Sequence, residues 1–367
     1  MNKILLIKFN MKNFDKKFGT TEENSKNEKT EAKKIYLGLS ILKTFLALDV
    51  IRSHCFNRDT TKNKFILILM QSRRIHVPSF VIMSFYFTHN TLTSPDINRK
   101  YQRFERLLFP YIGWPFIIFI MKYTLYSFGK KNYYITFKNL INQIILAQAK
   151  NMPLHFWFLF DLIILNFIFI FIIIVSRKHY LLHLELLMIF AYFFQYSGIN
   201  YELYIFVNKI HSIARISELI PFSITGFILY EFNILNKLQT YKLNTSIISL
   251  LIYIFIGNYQ VFSDIKGDSY HGIKLNFRSL SIIFIFSLLL LEKTKNKYLI
   301  NLIKVFTNYT GGIFYLHQAI HNFFEDIVIV IKKGTLFSLF LIYFFSYIAC
   351  FLGILIFGKT KAKYLFS

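Results

Sequence analysis

The sequence predicts an all-α protein, a polytopic transmembrane helix bundle of about ten spans with both termini in the cytoplasm. Three observations carry this expectation. Of the 367 residues, 54% are hydrophobic and 19% aromatic while only 17% are charged, more apolar side chain than a soluble surface can hide. The apolar residues gather in long runs, about ten of them near the length that crosses a bilayer. The basic residues, which set the formal net charge at +24, cluster between those runs and not on an aromatic-interleaved face. Topology and lipid headgroups account for that clustering, and no nucleic-acid partner is expected. The same composition excludes a disordered or fibrous chain.

Residues 1–34 are polar and charged and hold nine lysines. Their one near-apolar stub, Ile4 to Phe9, is too short and lysine-broken for a signal peptide, so a cytoplasmic tail is expected here. The transmembrane domain is expected over 35–358, with spans at 35–56, 75–92, 107–128, 154–175, 181–198, 217–232, 246–263, 277–292, 309–331 and 335–358. The run Phe65 to Met70 is too short to cross and is expected at the interface. Pro78, Pro110, Pro153 and Pro221 fall in leading turns, where proline starts or kinks a helix. Lys and Arg are densest in the tail and the even loops, at Arg99, Lys100, Arg103, Arg106, Arg177 and Lys178 among others, which places those segments inside. The longest outer segments are then 129–153, 199–216 and 264–276, and 359–367 is a second cytoplasmic tail. Cys55 and Cys350 stand alone, neither requiring nor excluding a disulfide, and no metal is expected.

Ionisable residues inside spans are costly and mark pathways or sites. The first span carries Lys43, Asp49, Arg52 and His54. Lys43 and His54 are eleven residues apart, about 20° past three full turns at about 100° per residue, so they share a helix face. About 16 Å of helix separates them, Lys43 in the inner half and His54 near the outer mouth. That pair could hold two ends of one long substrate. Alternatively, Lys43 snorkels inward and His54 rests among headgroups. His76 stands at the mouth of the second span, where Pro78 starts the helix; it either exchanges a hydrogen bond with a substrate or satisfies the backbone. Arg99, Arg103 and Arg106 fall at i, i+4 and i+7 on one stripe that suits phosphates, or that serves as ordinary positive-inside anchoring. Asp161 lies within the fourth span and needs a partner. His155-Phe156-Trp157 is expected as an aromatic belt, and Asp264, Asp268 and His271 as a solvated outer loop with acid-base work as the sharper possibility. His317 and His321 share a face at i, i+4, but no third ligand accompanies them, and close packing at Gly311-Gly312 is the better reading. Phosphate loops, nucleophile elbows and paired-Cys zinc patterns are missing.

The order of these pieces resembles one family. A basic residue, ten residues and His close the first span (Lys43 to His54); His76-Val77-Pro78-Ser79-Phe80 opens the second; Arg99 to Arg106 precede Pro110-Tyr111; Trp157-Phe158-Leu159 opens the fourth; and Ile313-Phe314-Tyr315-Leu316-His317 lies near the C-terminus. Over about residues 35–358 the chain resembles the acyltransferase 3 family of integral membrane O-acyltransferases. It departs from the family pattern in having Phe85 after Ser84, Gln318 after His317, and more widely spaced arginines before the third span.

The resemblance implies transfer of an acyl group, acetyl foremost, from acyl-CoA (acetyl-CoA) to a hydroxyl of a carbohydrate or glycan acceptor outside the cytoplasm. It makes His54 the general base on that hydroxyl, Lys43 the cation beside the donor thioester, His76 a further polar group at the acceptor end, and Arg99, Arg103 and Arg106 the residues that take the CoA phosphates. Membrane lipids and the glycan are the expected partners, the cell membrane the expected location, and oligomeric state is left open. The rival reading is a transporter or flippase for a glycan or lipid-linked intermediate, which would use the same buried charges without chemistry.

Overall fold

The computed structural model describes residues 38–52, 75–129, 134–147, 157–196, 211–262, 273–288, 307, 309–327, 336–358 and 364–365. They are helical almost throughout, with no strand among them. In chain order the helices are α1 (38–52), α2 (His76–Thr93), α3 (Ile97–Ser127), α4 (Phe137–Leu146), α5 (Trp157–Ser176), α6 (Tyr180–Tyr196), α7 (His211–Glu231), α8 (Ile234–Leu238), α9 (Lys242–Phe262), α10 (Ile273–Leu288), α11 (Thr310–Ile327) and α12 (Leu336–Phe357). All ten expected spans overlap one of these helices. By length and composition, the runs Ile97–Ser127, Trp157–Tyr196 and Phe340–Phe357 can cross a membrane. Arg215–Glu231 with Ile234–Ile256 makes a fourth if that pair, bent by 66°, is taken as one span.

Burial runs in the sense a bilayer demands. Phe171, Phe190, Phe193, Phe255 and Leu355 point outward, while Asp49, Asp161, Asn166 and Arg278 are buried inside. Lipid tails solvate the first set, and only the bundle can satisfy the second.

α2 is the central helix, buried on nearly every face. It packs most closely on α7. Gly226 makes that contact possible, because a Cβ there would stand 2.1 Å from the Ile82 carbonyl oxygen of α2. A small residue lets two backbones approach, the usual device where no hydrophobic force drives helices together. Gly226→Ala should therefore push α2 and α7 apart and cost about 1–3 kcal/mol of stability, read as a lowered thermal midpoint of the detergent-solubilised protein. Aromatic rings fill the spaces around α2. Phe85 meets Phe169 at 4.5 Å between centroids, and Phe80, Phe158 and Phe314 meet one another at 5.7–6.3 Å, joining α2, α5 and α11.

Four features differ from the sequence expectation. The third helix begins at Ile97, ten residues before the expected 107, because Asp96 caps it by accepting from the Asn98 amide at 2.9 Å. The basic stretch is thus the first turns of the same helix, and Pro110 and Pro115 lie in its interior. Pro221 likewise falls inside α7 and not in its leading turn. The expected outer segment 129–153 holds α4, capped by Thr136 and Asn139 and tied to α3 by the Tyr111 hydroxyl, which donates to the Ile144 carbonyl at 2.6 Å. Between α7 and α9, Asn233 takes a left-handed φ of 52° and α8 keeps the chain helical through what was expected as an inner loop.

The unbroken run Trp157–Tyr196 reverses on itself. Asp161 bonds Arg215 while Gln195 donates to the Ser217 carbonyl at 3.1 Å, so both ends of the run reach one turn of α7. The chain turns at Arg177, a non-glycine residue at φ 46°. Tyr364 and Leu365 of the second tail lie on α3, where the Trp114 indole donates to the Leu365 carbonyl at 2.9 Å. The remainder of both tails, the run Phe65 to Met70, Pro153, His155 and the Asp264–His271 loop lie outside the described residues, as does the side chain of His321.

Candidate active site

The bundle brings its buried charges into separate clusters. The first forms around Arg103 of α3. This residue is on the expected basic stripe, but the helix turns it inward while Arg99 and Arg106 face out. Arg103 Nη2 donates to the Ser84 hydroxyl of α2 at 2.7 Å, and its Nε reaches Asn166 Oδ1 of α5 at 3.5 Å. Asn166 is held in turn, its amide donating to the Leu162 carbonyl at 2.6 Å. Lys43 of α1 and Tyr315 of α11 are close enough to Arg103 to interact electrostatically with it. α1 is fixed there by Thr44, whose hydroxyl lies 3.2 Å from that of Thr310 on α11.

Five helices therefore surround two cations. Among the described residues no carboxylate pairs with either Lys43 or Arg103, and the hydrogen-bond partners of Arg103 are neutral. Two like charges together inside a bundle are unfavourable unless an anion joins them.

At the surface, Arg99 is exposed with Asp96 at 3.7 Å. Arg106 is also exposed, its guanidinium 5.8 Å from the Tyr364 ring. Of the three arginines on this stripe of α3, only Arg103 reaches Lys43. Lys100, on the same turns, is buried.

The second cluster surrounds His76. Asp49 on α1 accepts two hydrogen bonds at Oδ1 from Arg52, at 2.6 and 2.9 Å. Its Oδ2 lies 3.7 Å from His76 Nδ1. Tyr253 of α9 is within electrostatic range of Asp49, Arg52 and Arg278, and Arg278 of α10 lies 4.8 Å from the Tyr253 ring centre. Asp49 is six residues beyond Lys43, about 9 Å along α1 and about 120° around it. The two clusters thus occupy different faces of α1. His54 is outside the described residues, so its place on the Lys43 face rests on helix periodicity alone.

Two further groups tie helices together. Asp161, expected to need a partner, finds Arg215 of α7 at 3.0 Å, with Trp157 5.0 Å from the guanidinium. At the far end of α7, Glu231 takes His89 Nε2 at 2.5 Å and the Tyr180 hydroxyl at 3.1 Å. His317 is buried and its Nδ1 donates to the Phe314 carbonyl at 2.7 Å, a backbone role.

Ser84, Asn166 and Tyr315 are site residues that the sequence did not lead one to expect. Asn166 was the most findable, a lone amide in an apolar run from Leu162 to Val175. Arg215 left no usable signal beyond being a cation near a span.

The acyltransferase 3 family, described as an acyltransferase domain, matches residues 36–359. No curated protein and no solved structure matches the chain. The family match spans every helix described above, the charged interior has the character of a membrane-embedded site, and the outward face is apolar. The chain belongs to the acyltransferase 3 family and is a membrane acyltransferase.

Proposed function

We propose that the protein moves an acyl group, acetyl foremost, from acyl-CoA to a hydroxyl of a carbohydrate or glycan acceptor on the extracytoplasmic side of a membrane. The observation that supports this reading is the convergence of Lys43 and Arg103 inside the bundle, where among the described residues no carboxylate pairs with either and Arg103 bonds only neutral groups. A site with two half-buried cations side by side is matched by an anionic substrate, and acyl-CoA brings phosphates and a thioester that gains negative charge on attack.

In this reading Arg99 and Arg106 meet the phosphates at the mouth and Arg103 takes the innermost one. Lys43 stands beside the thioester carbonyl. His54 removes the proton of the acceptor hydroxyl as its oxygen attacks that carbonyl; the tetrahedral adduct collapses, the C–S bond breaks and CoA leaves as the thiolate. Both termini lie in the cytoplasm, so the donor enters at the α3 mouth and the acceptor from the opposite side.

Arg103→Ala should raise the donor KM about 10–100-fold, the loss of one charge-assisted contact of about 1.5–3 kcal/mol, and leave the acceptor KM unchanged. Arg103→Lys should recover part of the loss because the charge remains. The measurement is acyl transfer in purified membranes with the donor and acceptor varied separately, at equal protein abundance. A rise in the acceptor KM alone would move Arg103 to the other side of the reaction.

A further inference from the structure

His76 is nine-tenths buried, and its Nδ1 makes no hydrogen bond among the described residues. Among the described residues the nearest acidic atom is Asp49 Oδ2, 3.7 Å away on the neighbouring helix. The other oxygen of Asp49 is held at 2.6 and 2.9 Å by Arg52, one helical turn along. The carboxylate is therefore fixed by its own helix and presents its second oxygen to the ring of another. Closing the remaining gap requires a movement of less than about one ångström to reach ordinary N–H to O distance. A carboxylate opposite one ring nitrogen selects the tautomer with the proton on that nitrogen, which leaves the other nitrogen to the substrate.

We propose that Asp49 is a positioning residue for His76: it keeps the proton on Nδ1, orients the ring from α1, and leaves Nε2 as the atom that accepts a hydrogen bond from the acceptor. The role of His76 toward the acceptor rests on the acyl-transfer reading above; the tautomer does not. Arg52 serves by holding Asp49 turned toward α2. Tyr253, with Arg278 beside it, closes the cluster from α9 and α10.

The decisive measurement is nitrogen NMR of the full-length protein labelled with ¹⁵N-histidine in detergent. The His76 signals are identified by their loss in His76→Gln. In the wild type they should report a ring protonated at Nδ1, and in Asp49→Asn they should move toward a mixture of tautomers. Unchanged His76 signals in Asp49→Asn overturn the proposal, whatever the protein catalyses.

Kinetics supply the second readout. Asp49→Asn should raise the acceptor KM about 10–100-fold, the range of orienting carboxylates, with the donor KM unmoved. In a His76→Gln background the same change should have no further effect, since Asp49 acts through the ring. Additive losses would make Asp49 merely structural and also overturn the proposal. If the wild type transfers no acyl group to any acceptor while the NMR shift appears, the acyl-transfer reading fails and the Asp49–His76 couple stands.

Discussion

His54→Ala is expected to leave the protein in the membrane at wild-type abundance and to lower acyl transfer about 10²–10⁴-fold, the contribution of a positioned general base. His54 lies eleven residues beyond Lys43, a spacing that returns to the same helix face about 16 Å further along. α1 is helical through residue 52 and places Lys43 beside Arg103 in the bundle. By periodicity alone, a helix continued in register would carry His54 on the same face as Lys43. A histidine resting among headgroups would tolerate alanine with little loss. Near-normal transfer by a well-expressed His54→Ala protein would remove the base from the mechanism. Lys43→Ala should also lower activity, with Lys43→Arg retaining more of it, because the position calls for a cation before a shape.

The largest effect on stability is expected at the Asp161–Arg215 pair. Asp161 is completely buried and takes Arg215 through both carboxylate oxygens, at 3.0 and 3.4 Å. Arg215→Ala leaves a carboxylate stranded in the bundle with neither water nor counter-charge, and should cost about 3–5 kcal/mol. Asp161→Ala strands the cation instead; it should cost less, since Arg215 is partly exposed and can turn toward the surface past Trp157. Removing both together should cost less than the sum of the two, because the double variant strands neither charge. Thermal unfolding of the four proteins in detergent completes the cycle. Strict additivity would mean that the two residues act independently despite their contact. Since the pair joins α5 to α7, its loss should also loosen the reversal at Arg177.

The helical segments were legible because lipid leaves a chain few options. Every backbone group must be paired within its own helix, so a run of apolar residues is enough to announce one. That holds at the Trp157 and Leu336 segments, whose helices lie within three residues of the expected limits. It fails at Ile97, where the helix carries charge for three turns before the apolar run starts. It also fails at Phe137, where a short amphipathic helix hides in what reads as a polar connection. In both places the cap residue, Asp96 or Thr136, decides the boundary, and caps are local hydrogen bonds that hydropathy does not register.

Composition and the order of the motifs were enough for the class of molecule: an all-helical membrane acyltransferase whose first span carries a cation and a carboxylate where hydrocarbon would reject both. Which charges meet depends on how the helices pack. Arg99, Arg103 and Arg106 are equivalent on a helical stripe, yet only Arg103 has Ser84 and Asn166 opposite it. Asp161 demanded a partner but could not name Arg215, 54 residues away. Asp49 and His76 gave no sign of facing each other across two helices. Periodicity fixes the face of a helix on which a residue lies, whereas its partner depends on how helices cross and how closely they approach. Those are set by packing details such as the missing side chain of Gly226, where α7 meets the backbone of α2.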